Sequence, residues 1–230
     1  MGEIVALDGD CRAYVSAPDK GAGLGLVVLQ EHWGLVPHIE DLCDRFAAEG
    51  FTALAPDLLP EATASEATAS EPDEADSLMM ALNLEQAARQ TGAAVDLLEA
   101  SPAVRGDGVG VVGFGMGGGL ALMLAIQRPD DVRACVPFYG LVPGQWVQPD
   151  WSQLKAPVQG HFGEKDEVST PERVRELEAT LSGLAKEVEF FSYPDAGRGF
   201  FDDTRPQSYD PSAARTAWTR SLEFLRAKLG

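Results

Sequence analysis

The fold is decided by the stretch VGVVGFGMGGG at residues 109–119, which a further apolar run follows. A buried strand, a glycine turn and a helix are predicted from this order, because apolar residues flank closely spaced glycines. Residues 113–117 have the spacing of the nucleophile elbow G-x-S-x-G, with Gly115 where the nucleophile would stand. Gly113, Gly115 and Gly118 also fit the dinucleotide-binding motif G-x-G-x-x-G. A third interpretation is structural, since glycines let a helix pack closely on a strand.

Composition and charge restrict the class of protein and its partners. Hydrophobic residues make up 45% of the 230 residues and charged residues 23%, which is typical of a globular chain with a large core. The formal net charge of -18 argues against nucleic acid and anionic membranes, since both attract cations. No apolar run approaches the ~18 residues of a membrane span, and the first residues lack a signal peptide's basic segment. Cys11, Cys43 and Cys135 are too scattered for a disulfide framework, so we expect a cytoplasmic protein.

Apolar strands alternate with helices along the chain. Such alternation predicts an α/β fold with a mostly parallel central sheet and helices on both faces, in one domain over residues 1–230. The first two strands are expected to form an edge hairpin through residues 8–10. Residues 60–80 interrupt the pattern with an acidic repeat, which favours either a solvated surface loop or a lid over a site. The predicted strands are 3–7, 11–17, 25–30, 51–55, 132–139, 156–162 and 187–193, and the predicted helices are 39–47, 78–100, 171–183 and 211–229. The strand, turn and helix of the glycine stretch together span residues 109–125.

The residues that follow the glycine turn argue against a dinucleotide site. Such a site needs an acidic residue near the end of the next strand, where it binds the ribose. That strand ends with VPFYG at residues 136–140 and carries no Asp or Glu. A P-loop is also excluded, because no Gly-Lys-Ser/Thr sequence follows the turn. We therefore predict no cofactor, and we assign no metal ligands.

The nucleophile-elbow interpretation agrees better with the downstream sequence. In hydrolases with this elbow, an acid and then a histidine follow the nucleophile along the chain. Asp166 comes just after a predicted strand, where the acid would stand. The last predicted strand leads into YPDAGRGF at residues 193–200, and Arg198 stands where the histidine would be. Ligands of such sheets bind beyond the carboxyl ends of the strands, so these residues are expected at one pocket.

Six blocks of the sequence resemble the dienelactone hydrolase family, and the resemblance covers essentially the whole chain. It implies the α/β-hydrolase fold and a Cys-His-Asp triad. The nucleophile, base and acid positions of that triad align with Gly115, Arg198 and Asp166, so two of the three residues depart from the family pattern. The blocks are QEHWGL at 30–35, APDL at 55–58, GFGMGG at 113–118, FYG at 138–140, GEKD at 163–166 and YPDAGRGF at 193–200.

The resemblance also implies roles for residues beside the triad. Glu31 aligns with the family's glutamate at an early strand end. The backbone N–H groups of His32 and Met116 would form the oxyanion hole. The aromatic residues near these positions would be either pocket walls or core residues, and they are Trp33, Tyr139 and Phe200.

The other cysteines and histidines do not restore the triad. By position none of the three cysteines replaces the nucleophile, and free cysteines are commonly buried, so we expect core positions for them. His38 opens a predicted helix and is expected on the surface. His161 lies in a predicted strand and is expected to be a core residue with its hydrogen bonds satisfied. His32 is the one histidine at the predicted pocket that could replace the base.

The two departures exclude the covalent route to ester or lactone hydrolysis. An acyl-enzyme needs a nucleophile and a base within hydrogen-bond reach, whereas glycine has no attacking atom and arginine stays protonated. One hypothesis is therefore a repurposed enzyme of a biosynthetic pathway, which cyclises, eliminates from or isomerises a small carbonyl-bearing substrate. The oxyanion site and Arg198 would stabilise enolate charge, and Glu31 would transfer the proton.

Two alternatives remain open. The first is an inactive family member that binds a small molecule or a partner, in which Arg198 only forms an ion pair with Asp166 or Glu31. The second is a weak ester or lactone hydrolase that uses a water activated by Glu31 or His32.

Overall fold

The computed structural model describes residues 2–7, 9, 11–59, 82–144, 146 and 149–230. Within these residues the chain alternates strands and helices as the sequence predicts. The strands are β1 (Glu3–Ala6), β2 (Arg12–Ser16), β3 (Gly23–Leu29), β4 (Phe51–Pro56), β5 (Val104–Phe114), β6 (Val132–Phe138), β7 (Val158–Gly163) and β8 (Val188–Tyr193). The α-helices are α1 (Pro37–Ala48), α2 (Leu84–Glu99), α3 (Met116–Gln127), α4 (Pro171–Gly183) and α5 (Pro211–Leu229), and a short 3-10 helix spans Trp151–Gln153.

The strands follow one another in the sheet in the order β1-β2-β4-β3-β5-β6-β7-β8. The chain forms two compact units, Met1–Val109 and Gly110–Gly230, and the boundary falls inside β5. The prediction of a single domain over residues 1–230 stays a prediction.

The first unit begins with an antiparallel hairpin and continues into parallel strands. β1 pairs with β2, and β2 with β4, in antiparallel register, whereas β3 and β4 are parallel. Every residue of β3 and β4 is buried, as expected for strands covered on both faces. Helices α1 and α2 pack on these strands. The predicted edge hairpin is confirmed, and Asp8 and Asp10 of its turn lie outside the described residues.

The second unit is parallel throughout its described pairs. β7 pairs with both β6 and β8 in parallel register, and all six residues of β7 are buried. Helix α3 packs on β6, α4 on β8, and α5 on β6 and β7. The mostly parallel sheet is therefore confirmed, and its carboxyl strand ends carry the loops of Asp166 and Arg198.

Most element boundaries differ from the predicted ones by one or two residues, and two element starts differ by about five. Helix α2 begins at Leu84, and the Asn83 side chain caps it by accepting a hydrogen bond from the Gln86 N–H. Residues 82 and 83 were predicted to belong to this helix, and for them the prediction is wrong. Residues 78–81, and with them the acidic loop 60–80, lie outside the described residues. β5 begins at Val104 rather than 109, because its first half is polar, half-exposed and rich in glycine, which hides it from an apolar pattern.

Burial confirms some single-residue expectations and corrects one. Cys11, Cys43 and Cys135 are all buried and free, and burial raises the pKa of the Cys43 and Cys135 thiols. His38 was expected on the surface, but it is only 5% exposed, so that expectation is wrong. It lies in the first turn of α1, a helix whose apolar residues alone gave no sign that a polar side chain would be buried with them. Among the described residues, no helix combines the length and apolarity needed to cross a bilayer.

Candidate active site

The turn between β5 and α3 has the backbone of an elbow. Gly115 has φ 53° and ψ -114°, a conformation that side-chain-bearing residues adopt only under strain. The Gly115 N–H donates to the Phe138 carbonyl at 3.0 Å, and the Gly115 carbonyl accepts from the Gly118 N–H at 3.0 Å. Met116 is the first residue of α3, where backbone N–H groups lack intrahelical partners and the helix dipole is positive. The turn can therefore offer an N–H group to an oxyanion without a nucleophile beside it.

Neighbouring glycines are required by close packing. A Cβ on Gly140 would lie 1.9 Å from the Gly115 carbonyl oxygen, and a Cβ on Gly118 would lie 2.9 Å from the Gly140 Cα. Helix α3 thus packs directly on the backbone that follows β6. The structural interpretation of the glycine stretch therefore holds at these positions, together with the elbow interpretation at Gly115.

Arg198 is held beside the end of β6. Its Nη1 donates to the Tyr139 carbonyl oxygen at 3.0 Å and lies 3.9 Å from Asp166 Oδ2. The Arg198 side chain is 29% exposed. Among the described residues, Nη1 is the one atom of this guanidinium that makes a hydrogen bond to protein. Since a guanidinium has five N–H donors, most of its donors remain for a ligand.

Asp166 is a buried carboxylate with two unlike oxygens. Oδ1 accepts from the N–H groups of Val168 and Ser169, at 2.8 and 2.9 Å. Oδ2 is buried and has no hydrogen-bond donor in the described part of the chain, although the Arg198 cation lies 3.9 Å away. A buried carboxylate is costly without a nearby positive charge. Arg198 therefore supplies the countercharge of Asp166 as well as donors for a ligand.

Tyr139 orients the carbonyl that binds Arg198. It has φ 36°, a strained conformation for a bulky residue that costs on the order of 1–3 kcal/mol. Its N–H donates to the His161 carbonyl at 2.8 Å, and its carbonyl accepts from Arg198 and from Ser169 Oγ at 3.2 Å. Its ring is fully buried, 5.3 Å from the equally buried ring of Phe200. These two predicted pocket residues are therefore part of the aromatic core.

The predicted site residues of the first unit lie on the turn that follows β3. Glu31 is buried, and its carbonyl accepts from the N–H of Gly34 at 3.4 Å. The rings of His32 and Trp33 are half-buried, with centroids 4.3 Å apart. The catalytic role of Glu31 and the oxyanion role of the His32 N–H stay predictions.

His161 is the core residue that the sequence predicts. It is fully buried, its Nδ1 lies 2.9 Å from the Tyr193 hydroxyl, and its Nε2 lies 3.0 Å from Ser221 Oγ. Burial, and to a lesser extent the charge of Arg220, lowers its pKa to about 3. The imidazole is therefore neutral at pH 7, and both of its nitrogens are engaged inside the core.

Sequence reasoning missed Ser169, which contacts both Asp166 and Tyr139. The sequence that surrounds it, Ser169-Thr170-Pro171-Glu172, is typical of a helix start, and Thr170 does cap α4 by accepting from the Arg173 N–H. A helix-start pattern gave no reason to expect a contact with Tyr139, so only the tertiary structure identifies this residue.

Comparisons with known proteins agree with this fold. The model of the dienelactone hydrolase family matches residues 11–229. Protein usf of Aquifex pyrophilus is 32% identical over 238 residues that cover 100% of both chains. A probable 2-oxo-3-(5-oxofuran-2-ylidene)propanoate lactonase of Bradyrhizobium sp is 31% identical, over 96% of this chain and 92% of the relative. The crystal structure of a dienelactone hydrolase-like promiscuous phosphotriesterase from metagenomic libraries superposes with a TM-score of 0.82 at 24% identity, over 100% of this chain and 99% of that one.

These matches extend over nearly the whole chain. The protein therefore has the α/β-hydrolase fold and belongs to the dienelactone hydrolase family.

Proposed function

We propose that this protein acts on a small carbonyl-bearing substrate without forming a covalent intermediate. The observation that carries the proposal is an elbow turn with a glycine at its apex and a partly exposed cation beside Asp166, at positions where the family resemblance implies a nucleophile and a histidine. Gly115 keeps the backbone of the elbow, and Arg198 keeps most of its guanidinium donors. The two residues are far apart in the sequence but contact the same segment of the structure. Segment Phe138–Gly140 joins the two, because it accepts the Gly115 N–H, packs on the Gly115 carbonyl and accepts Arg198 Nη1.

Such an arrangement suits the stabilisation of an enolate. The substrate's carbonyl oxygen accepts the Met116 N–H, and the charge of Arg198 stabilises the negative charge that develops on that oxygen. The base that takes the proton from the carbon next to the carbonyl is Glu31 on the strength of the family resemblance alone. The electron pair of the broken C–H bond then forms the enolate, which is reprotonated at another carbon or expels a leaving group. Isomerisation, elimination and cyclisation all follow from this common first step.

The substrates to test first come from the relatives. The Bradyrhizobium relative carries the name of a lactonase that acts on an unsaturated lactone with a 2-oxo acid. 2-Oxo acids with a CH2 group next to the ketone, and lactones with a β,γ double bond, have acidic protons next to a carbonyl. The corresponding hydrogen of an α,β-unsaturated lactone is vinylic, and such a lactone tests only ring opening. Together these compounds are therefore suitable probes for proton abstraction and for ring opening.

Solvent-deuterium exchange tests the proposal directly. The full chain is incubated in D2O with a panel of unsaturated lactones and 2-oxo acids, and NMR follows deuterium incorporation next to the carbonyl. We expect exchange above the buffer rate, with a loss of about 10²-fold or more in Glu31→Gln, as is typical when a general base is removed. Arg198→Ala should reduce exchange, and Arg198→Lys should restore part of it. Lys165→Ala is a matched control, because the Lys165 side chain is 61% exposed and pairs only with Asp195 among the described residues.

The same experiment distinguishes the alternatives. Exchange that is equal in wild type, Glu31→Gln and Arg198→Ala would sink the proposal. Lactone ring opening that disappears in Glu31→Gln would instead indicate hydrolysis by an activated water. Binding without turnover is the second candidate, and it is favoured by the contacts that already tie Arg198 to Tyr139 and Asp166. A compound that raises the melting temperature but is never exchanged or converted would support that candidate.

A further inference from the structure

We propose that Ser169 is a positioning residue that sets the direction of the Arg198 guanidinium. Ser169 lies in the loop between Asp166 and α4, and it is buried. The functional importance of Arg198 rests on the proposed function, which this inference deepens. The contacts of Ser169 do not depend on any reaction.

Ser169 is bonded to both groups that face Arg198 Nη1. Its N–H donates to Asp166 Oδ1 at 2.9 Å, and its hydroxyl donates to the Tyr139 carbonyl oxygen at 3.2 Å. That carbonyl also accepts from Arg198 Nη1 at 3.0 Å, and the second oxygen of Asp166 lies 3.9 Å from the same nitrogen. One residue thus connects the acceptor and the countercharge of the guanidinium, through its hydroxyl and its backbone N–H respectively.

The Tyr139 carbonyl needs such a restraint. The residue has φ 36°, so its peptide groups are held in a sparsely populated orientation by surrounding contacts. A carbonyl oxygen has two lone pairs, and here Ser169 and Arg198 use them. The Arg198 side chain is 29% exposed whereas Ser169 is buried, so the hydroxyl is the better shielded of the two donors that hold the carbonyl.

The loop around Ser169 is itself anchored to α4. The Val168 carbonyl accepts from Arg173 Nη1 at 2.6 Å, and the Thr170 side chain accepts from the Arg173 N–H at 3.5 Å. Arg173 belongs to the first turn of α4, which Pro171 begins. The position of the Ser169 hydroxyl is therefore set by a helix start and not by Arg198, as a positioning role requires.

NMR of the arginine side chains tests this role without a substrate. The full chain is labelled with 15N-arginine, and Arg198→Lys identifies the Arg198 signals by their loss. In the wild type we expect separate Nη signals for Arg198, because the bond to Tyr139 slows rotation about Cζ–Nη1. In Ser169→Ala the Tyr139 carbonyl is no longer held in the direction of Arg198, so Nη1 should lose its bond to that carbonyl and rotate on the order of tenfold faster, the factor expected for one lost hydrogen bond. Ser169→Thr, which keeps a hydroxyl, should retain slow rotation.

Val168→Ala is the matched control for the loop. Val168 is 52% exposed and contacts Asp166 through its backbone, so truncating its side chain should leave the Arg198 signals unchanged. Slow rotation that persists in a folded Ser169→Ala protein overturns the proposal. Averaged Arg198 signals in the wild type also overturn it, and this outcome does not depend on the folding of a variant. Absence of any deuterium exchange with intact, slow Arg198 signals overturns the proposed function but supports the positioning role.

Discussion

Two polar clusters lie near β7 and β8, one in the core and one in the loops that follow the strands, and their bonding differs. The core cluster consists of His161, Tyr193 and Ser221, and both imidazole nitrogens are within hydrogen-bond distance of a hydroxyl. The loop cluster consists of Asp166, Arg198 and Tyr139. Only one nitrogen of its guanidinium, Nη1, donates a hydrogen bond to the described part of the protein.

The difference separates a structural histidine from a candidate ligand-binding cation. The core cluster satisfies its polar groups internally and is closed to solvent, so it can stabilise the fold but cannot reach a substrate. In the loop cluster, most guanidinium donors of Arg198 are unused and its side chain is partly exposed, close to the elbow turn. Hydrogen-bond donors that the protein leaves unused are therefore a better guide to a functional site than a histidine and a serine that lie close together.

The largest expected effect comes from introducing, at the elbow and in the loop cluster, the nucleophile and the base that the family resemblance implies at these positions. The double variant Gly115→Cys with Arg198→His would place a thiol on the elbow and an imidazole beside Asp166. We expect hydrolysis of an activated ester to rise by roughly 10³-fold, because removal of triad members costs at least this much in triad enzymes. A pre-steady-state burst that iodoacetamide abolishes measures the effect.

The single variants are the controls for this experiment. Gly115→Cys alone and Arg198→His alone should show no sustained turnover, since each lacks one half of the nucleophile–base pair. A folded double variant with neither burst nor alkylation would show that residue 115 is not presented as a nucleophile. The loop cluster would then not be the active site of this fold.

Removing the imidazole tests the structural assignment of the core cluster. His161→Ala would leave the Tyr193 and Ser221 hydroxyls without this partner and open a cavity in the sheet. We expect a loss of about 3 kcal/mol in the free energy of unfolding, measured in urea. Deuterium exchange at the proposed site should persist in the folded fraction. Loss of exchange with unchanged stability would reverse the roles of the two clusters.

Acid should destabilise the protein through the same histidine. The folded imidazole has a pKa of about 3, whereas the unfolded value is about 6.5, so between these values the unfolded chain binds the extra proton. Stability from this group is present above pH 6.5 and is lost as the pH falls towards 3. The loss between pH 6 and 4.5 should be on the order of 2 kcal/mol.

A variant without a titrating group isolates this contribution. His161→Gln keeps polar atoms near Tyr193 and Ser221 but cannot take up the proton. Its urea midpoint should therefore fall less steeply with acid than that of the wild type. Parallel curves for the two proteins would show that His161 is not held neutral in the fold.

The smallest effect is expected at the surface pair that joins the two loops. Lys165 and Asp195 are 3.1 Å apart, but their side chains are 61% and 88% exposed, so water screens their attraction. Lys165→Ala should change the free energy of unfolding by about 0.5 kcal/mol or less. A larger loss, confirmed by a double-mutant cycle with Asp195→Ala, would mean that this pair helps to hold the loop cluster.

The sequence predicts the sheet and the elbow well because their signals are local. Mostly apolar runs predicted β3 and β4, and the glycine spacing predicted the turn at Gly115. The start of β5 was missed, because its pairing with neighbours and not its own apolarity makes it a strand. His38 was misplaced for a related reason, since burial of a polar residue depends on the tertiary structure around it.

The candidate site was predictable only as positions along the chain. Asp166 and Arg198 could be placed at strand ends, but their 3.9 Å separation and the shared use of the Tyr139 carbonyl could not. These contacts depend on the positive φ of Tyr139, a non-glycine residue for which no sequence pattern predicts this conformation. Ser169 was missed on the same account.

The hydrogen bond between Ser221 and His161 also constrains the order in which the chain can fold during synthesis. The two residues are 60 positions apart, so a ribosome that has just completed β7 has not yet made the partner of its imidazole. Until α5 docks, that strand exposes an apolar surface with an unsatisfied ring, the kind of intermediate that aggregates. Vectorial synthesis therefore leaves the second unit dependent on its final helix, and this dependence makes it the more vulnerable half during expression.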